Sequence, residues 1–153
     1  MTSTEIALLL NNDAEKITRI GEIIGKKIPK KDNFKNLNEF EKNFIYIDIL
    51  ENNVTEGGFV QFFFNSSGQF THEVFQAYLA IKATKTVDLL TKAIFLFPEF
   101  PVPKNTHLRR NILMEKESNI DLWDDLDREF DKYEDNIIAL TLEYVRDNIA
   151  FFD

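Results

Sequence analysis

Apolar residues recur three and four positions apart along most of the chain, the pattern of helices that each bury one stripe. Ile6, Leu9 and Leu10, then Ile17, Ile20 and Ile24, keep this spacing. Asn11-Asn12-Asp13 interrupts it, so that Asp13 is placed to cap a second helix and Gly25 to end it. Upstream, Thr2-Ser3-Thr4-Glu5 has the form of a capping box. A second cap lies in Asn36-Leu37-Asn38-Glu39, ahead of a stripe of Phe40, Phe44, Ile47 and Leu50 that predicts a helix to about Asn53. Lys26 to Lys35, interrupted by Pro29, reads as an exposed basic connector.

After Gly57-Gly58, the run Phe59 to Phe64 has the aromatic content of a strand, but no turn-linked partner strand follows. A short buried helix is the expectation. Asn65-Ser66-Ser67-Gly68 reads as a turn, Thr71 as the cap of a helix carrying Val74, Phe75, Tyr78 and Ile81, and Thr84 as the cap of another carrying Leu89, Leu90, Ile94 and Phe97. Pro98 stops that helix, and with Pro101 and Pro103 it makes a stiff connector before a helix resumes near Thr106. Toward the end, Leu122, Leu126, Phe130, Tyr133 and Ile137 fall within about 40° of one line on a helical wheel. A break is expected between Tyr133 and Asp135, before a final stripe of Ile138, Leu142, Val145 and Ile149. The pattern as a whole predicts an all-α fold: one compact multi-helix domain of about seven or eight helices over residues 1–153, without an internal repeat.

Composition narrows the classes of function. A 44% hydrophobic chain with fifteen Phe can build a substantial core, which excludes global disorder. The absence of Cys removes disulfides, thiolate metal sites and cysteine nucleophiles, and fits a reducing compartment. The first residues lack the basic segment of a signal peptide, and no apolar run approaches the roughly 20 residues of a membrane span, so a cytoplasmic location is expected. Residues 121–153 hold eleven acidic against three basic side chains, which accounts for the whole net charge of −8. Such a surface repels nucleic acid and anionic membranes and attracts basic proteins.

No catalytic constellation emerges. His72-Glu73 opens like a zinc-protease helix, but Gln76 stands where the second His is needed. Gly57-Gly58 is followed by Val60, Gln61 and Phe62 rather than the Lys and hydroxyl residue of a phosphate loop. Ser66 and Ser67 lack a nucleophile-elbow pattern. The chain therefore reads as no enzyme, with no metal site and no cofactor. The glycines are expected to allow positive φ or close backbone approach while Phe59, Phe62 and Phe63 fill the core. An alternative is a small-molecule or enzymatic site in a polar pocket lined by Glu51, Glu56, Gln61 and Asn65.

The stronger feature is the acidic stretch of Asp121, Asp124, Asp125, Asp127, Glu129, Asp131, Glu134 and Asp135, set against Arg128 and Lys132 alone. On a wheel, Asp121, Asp124, Asp131 and Asp135 lie opposite Leu126. As one continuous helix the stretch would carry one net negative charge per roughly 3.5 Å, close to the ~3.4 Å phosphate spacing of one DNA strand. Two such faces in a homodimer would come nearer to a duplex.

Glu56-Gly57-Gly58-Phe59, Gln61-Phe62-Phe63-Phe64-Asn65, Ser67-Gly68 and Phe97-Pro98 occur in an order and spacing that resemble the bacterial DNA-mimic protein family, a helical domain group otherwise of unknown function. Leu122 through Tyr144 is similar to the family's acidic closing segment. About 100 residues are covered, within a family-like core of about 37–150. One departure is Glu56, where the family pattern has Asn. The resemblance implies an all-helical fold, a mainly structural role for Gly57, Gly58, Phe59, Gln61, Phe63, Asn65, Gly68 and Pro98, and a dimeric acidic surface that occupies the DNA-binding site of a transcription regulator. With the charge pattern, it leads to the expectation of a non-enzymatic interaction protein whose partner is a basic protein.

Overall fold

A computed structural model describes residues 1–115 and 121–153. Among the described residues eight α-helices follow one another: α1 (Ser3–Ala7), α2 (Asp13–Gly25), α3 (Glu39–Phe64), α4 (Thr71–Ala80), α5 (Thr84–Leu96), α6 (Thr106–Glu115), α7 (Asp124–Asp131) and α8 (Ile137–Asp147). Short 3-10 turns span Ser66–Phe70 and Ile149–Phe151, and no strand occurs among the described residues. The fold is all-α, as the periodicity predicts. None of the described helices is long and apolar enough to cross a membrane.

Local chemistry explains where the helices begin. Thr2 accepts the Glu5 N–H at the start of α1, and Asn12, rather than the expected Asp13, accepts the Glu15 N–H at the start of α2. At α3 the capping box is complete: Asn38 Oδ1 accepts the Glu41 N–H at 2.9 Å, and the Glu41 carboxylate accepts the Asn38 N–H at 3.1 Å. The same buried Glu41 takes Lys27 Nζ, tying the basic connector to α3. Thr71 and Thr84 are the first residues of α4 and α5 and cap neither. Thr71 Oγ1 instead donates to the Gly68 carbonyl, and the cap of α5 arrives from a distant segment.

α3 is the axis of the molecule. Phe44, Ile47, Leu50, Val54, Phe59, Phe62 and Phe63 are all buried along it, and α2, α4, α6 and α7 pack around it. The helix does not stop near Asn53 but continues to Phe64 through a kink at Gly57-Gly58, so the Phe59 to Phe64 segment is helical. Beyond the kink, Phe63 packs against Phe97 and Trp123, and Phe59 meets Phe130 edge-on. The chain ends close the fold, with the Asp153 carboxylate accepting the Ser3 and Thr4 N–H groups at 2.9 and 3.0 Å.

Candidate functional site

The acidic stretch is not one helix. α7 is only eight residues long, and Tyr133, at φ 47°, turns the chain away before α8. The expected stripe is corrected as well. Leu122 and Tyr133 are 39% and 48% exposed, while Trp123, absent from that stripe, is fully buried and donates its indole N–H to the Ala93 carbonyl at 2.9 Å. Trp123 is therefore the anchor that docks α7 on α5 and the second half of α3. A single Trp in a chain of fifteen Phe was a signal available in the sequence, masked by the wheel placed on its neighbours.

The eight acidic side chains divide into three groups. Asp127 and Asp135 point inward: Asp127 Oδ1 accepts the Phe59 N–H at 2.9 Å, and Asp135 Oδ2 accepts the Thr86 N–H at 2.8 Å and its hydroxyl at 3.1 Å. Asp135 thus supplies the missing N-terminal cap of α5. Asp125, Glu129 and Glu134 pair with Arg128, Lys132 and Lys85 on the surface. Asp121, Asp124 and Asp131 are exposed and have no ion-pair partner among the described residues. Over its eight residues α7 is about 12 Å long, so its outer face matches roughly three phosphate spacings of one DNA strand rather than the longer rod of a continuous helix. Burial holds the Asp127 carboxyl above the usual carboxylate range; the Phe59 N–H opposes that shift, and the charges of Asp124 and Asp131 add to it.

The glycine pair explains why Asp127 sits where it does. Gly58 has φ 76° and ψ −175°, a region essentially reserved for glycine, and this break exposes the N–H of Phe59 at the start of a new helical segment. A Cβ on Gly58 would lie 2.2 Å from Asp127 Oδ2. The anion at this helix start is thus the protein's own carboxylate. At the other end of the segment, Arg109 is completely buried and spreads its fork over the Phe63, Asn65, Pro103 and Lys104 carbonyls, at 2.7–3.1 Å, and the Thr106 hydroxyl. Gly68 leaves room for it: a Cβ there would meet Arg109 Nε at 2.7 Å and the Phe62 and Phe63 carbonyls at 2.8 and 2.9 Å. Gly58, Phe59, Phe63, Asn65 and Gly68 therefore build two polar seats joined by an aromatic core. Pro98 closes the same core by following buried Phe97 at the end of α5. Arg109 was missed in the sequence because arginine is ordinarily a surface residue. Its place four positions before buried Leu113, on the inner side of α6, was the available clue.

The alternative polar pocket does not assemble. Gln61 Nε2 donates to Glu56 at 3.2 Å and Asn65 Nδ2 to Asn53 at 2.8 Å, but Glu51 lies elsewhere, accepting the Tyr78 hydroxyl at 2.7 Å. The groove beside Gly57 is walled by Val60, Gln61, Phe64, Asn65, Leu113 and Met114, without a carboxylate. His72 is half-buried, edge-on to Phe100, and no group of three or more potential metal ligands occurs among the described residues.

The fold and these seats define an acidic, all-helical domain organised around a glycine-kinked central helix. The family model described as DMP19-like protein matches residues 35–148, and the chain belongs to this family of DNA-mimic proteins. No curated protein and no solved structure matches the chain.

Proposed function

We propose that the protein is a non-enzymatic, cytoplasmic interaction domain that occupies the DNA-binding surface of a basic protein, such as a transcription regulator, in the manner its family's name describes. The observation that carries this reading is the exposed trio Asp121, Asp124 and Asp131, without ion-pair partners among the described residues: Asp124 and Asp131 lie on the short helix α7 and Asp121 just ahead of it, and the other side of α7 is fixed to the core by Trp123, Phe130 and Asp127. Rigid presentation matters because a partner's lysines and arginines then meet carboxylates at fixed positions, without an ordering cost at the moment of binding. One such helix spans too little of a DNA strand, so a homodimer that sets two of them side by side completes the surface in this reading.

The test must leave the inward acids untouched. Replacing Asp121, Asp124 and Asp131 by Asn removes the outer charge, whereas replacing Asp127 or Asp135 would disturb the seats of α3 and α5. Affinity capture from the native host at low and high salt is expected to retain a basic DNA-binding protein on the wild type only. That complex should dissociate as salt rises, because exposed charges are screened beyond about 8–10 Å, and duplex DNA should displace it. Equal capture by the triple Asn variant, or a complex indifferent to salt and to DNA, would overturn the reading.

A further inference from the structure

A second polar cluster lies along the first half of α3. A cleft of about 260 Å³ opens between α2, α3 and α8, with Asp48 and Glu51 one helical turn apart on α3. Ile17, Phe44 and Ile138 make its apolar walls. Two carboxylates alone would be unremarkable on an acidic protein. The independent observation is Thr141, which lines the same cleft from α8: it is 3% exposed, and its Oγ1 has no hydrogen-bond partner among the described residues. A buried hydroxyl without a partner costs stability unless something else satisfies it. The cleft thus offers two carboxylates beside a hydrocarbon wall, with the unpartnered Thr141 hydroxyl buried within that wall.

We propose that this cleft binds a primary alkylammonium group, its three N–H donors directed at Asp48, Glu51 and Thr141 and its methylene chain laid against Ile17, Phe44 and Ile138. An ammonium has three donors and no acceptor, which matches two carboxylates and the lone pairs of a hydroxyl. A cleft this size takes a ligand smaller than the drug-sized molecules that fill ordinary pockets of about 300–1,000 Å³. Burial raises the carboxyls of Asp48 and Glu51, the latter to about 7, so each is short of compensating positive charge. Glu51 is faced by the hydroxyl of Tyr78 from α4 and by Asp48 on its own helix, and Tyr133 acts electrostatically on Tyr78. α2 and α8 present no ionisable side chain to the cleft. The inference does not rest on the acidic-face reading, because none of its residues belongs to the segment from Asp121 to Asp135.

Titration of the isotope-labelled full chain with n-butylamine hydrochloride, followed by backbone NMR shifts, tests it. Saturable shifts are expected at Glu51 and Thr141, with millimolar affinity on the order appropriate to five heavy atoms. Affinity should rise about tenfold from pH 6 to pH 8, since Glu51 must be ionised to hold the cation and its titration is centred near 7, while the amine stays protonated throughout. Thr141→Val, which keeps the side-chain shape and removes the unpaired hydroxyl, should weaken binding about tenfold without harming the fold. Glu51→Gln should weaken it at least as much and abolish the pH dependence. The triple Asn variant of the acidic face should bind the amine unchanged, which separates this site from that surface. Nα-acetyl-lysine methylamide in a parallel titration distinguishes a lysine side chain from a free amine; saturable binding of either supports the site. Shifts that do not saturate, that n-butanol reproduces, or that persist in both cleft variants would overturn the proposal.

Discussion

The two ends of the short helical segment Phe59 to Phe64 make an instructive pair. At its start, Gly58 exposes the Phe59 N–H and Asp127 covers it; at its end, the Phe63 and Asn65 carbonyls point outward and Arg109 covers them. Both charges have the sign that the helix dipole favours. Yet the two seats differ in depth. Arg109 is fully buried and makes five hydrogen bonds, whereas Asp127 is half-buried, accepts one backbone N–H, and stands near the like charges of Asp124 and Asp131. Equal dipole logic at two ends therefore yields a structural lock at one and a lighter hold at the other.

The lock is the place to break the molecule. Arg109→Met keeps an unbranched apolar stem but takes the donors away from the Phe63, Pro103 and Lys104 carbonyls, while the Asn65 carbonyl keeps the Gly68 N–H; a loss of about 3–5 kcal/mol is expected in chemical denaturation, a large share of the stability of an ordinary domain. Arg109→Lys should recover little, because one ammonium cannot span carbonyls that a planar fork reaches from two sides. Gly68→Ala attacks the same seat from outside. Its Cβ would press on the Phe62 and Phe63 carbonyls, which cannot swing away as a side chain can, and about 1–3 kcal/mol should be lost.

Much of this frame was legible in the sequence. The 3.6-residue period set out the all-α fold, and the order of glycines, aromatics and Phe97-Pro98 carried the resemblance that the family match on residues 35–148 bears out. What escaped was tertiary. A wheel drawn through Asp121 to Asp135 treats the stretch as one rod; the break at Tyr133 to Asp135 is legible, but nothing local announces that Asp135 reaches back to cap α5. Acidic residues that look alike in the sequence divide into caps and surface charges only once the backbone groups they meet are known. Arg109, and the actual surroundings of Glu51, escaped for the same reason: each is held by partners, the carbonyls around Gly68 and the hydroxyl of Tyr78, that are distant in the chain.

The lighter seat gives the smaller and more discriminating effect. Burial raises the Asp127 carboxyl, as do Asp124 and Asp131. An acid whose folded pKa lies above its unfolded value weakens the fold as pH rises through that window, since the unfolded chain then ionises the group more easily. Ionisation of Asp127 therefore contributes no net stability at neutral pH; what holds α7 to α3 there is the oxygen that accepts the Phe59 N–H. Asp127→Asn retains that oxygen, and thermal unfolding at pH 7 should shift by no more than about 0.5 kcal/mol in either direction. Asp127→Ala removes the acceptor and leaves the Phe59 N–H at the kink without its partner, for a loss of about 1–2 kcal/mol. If Asn and Ala proved equally damaging, charge rather than the acceptor would govern this seat, and the contrast with Arg109 would reduce to burial alone.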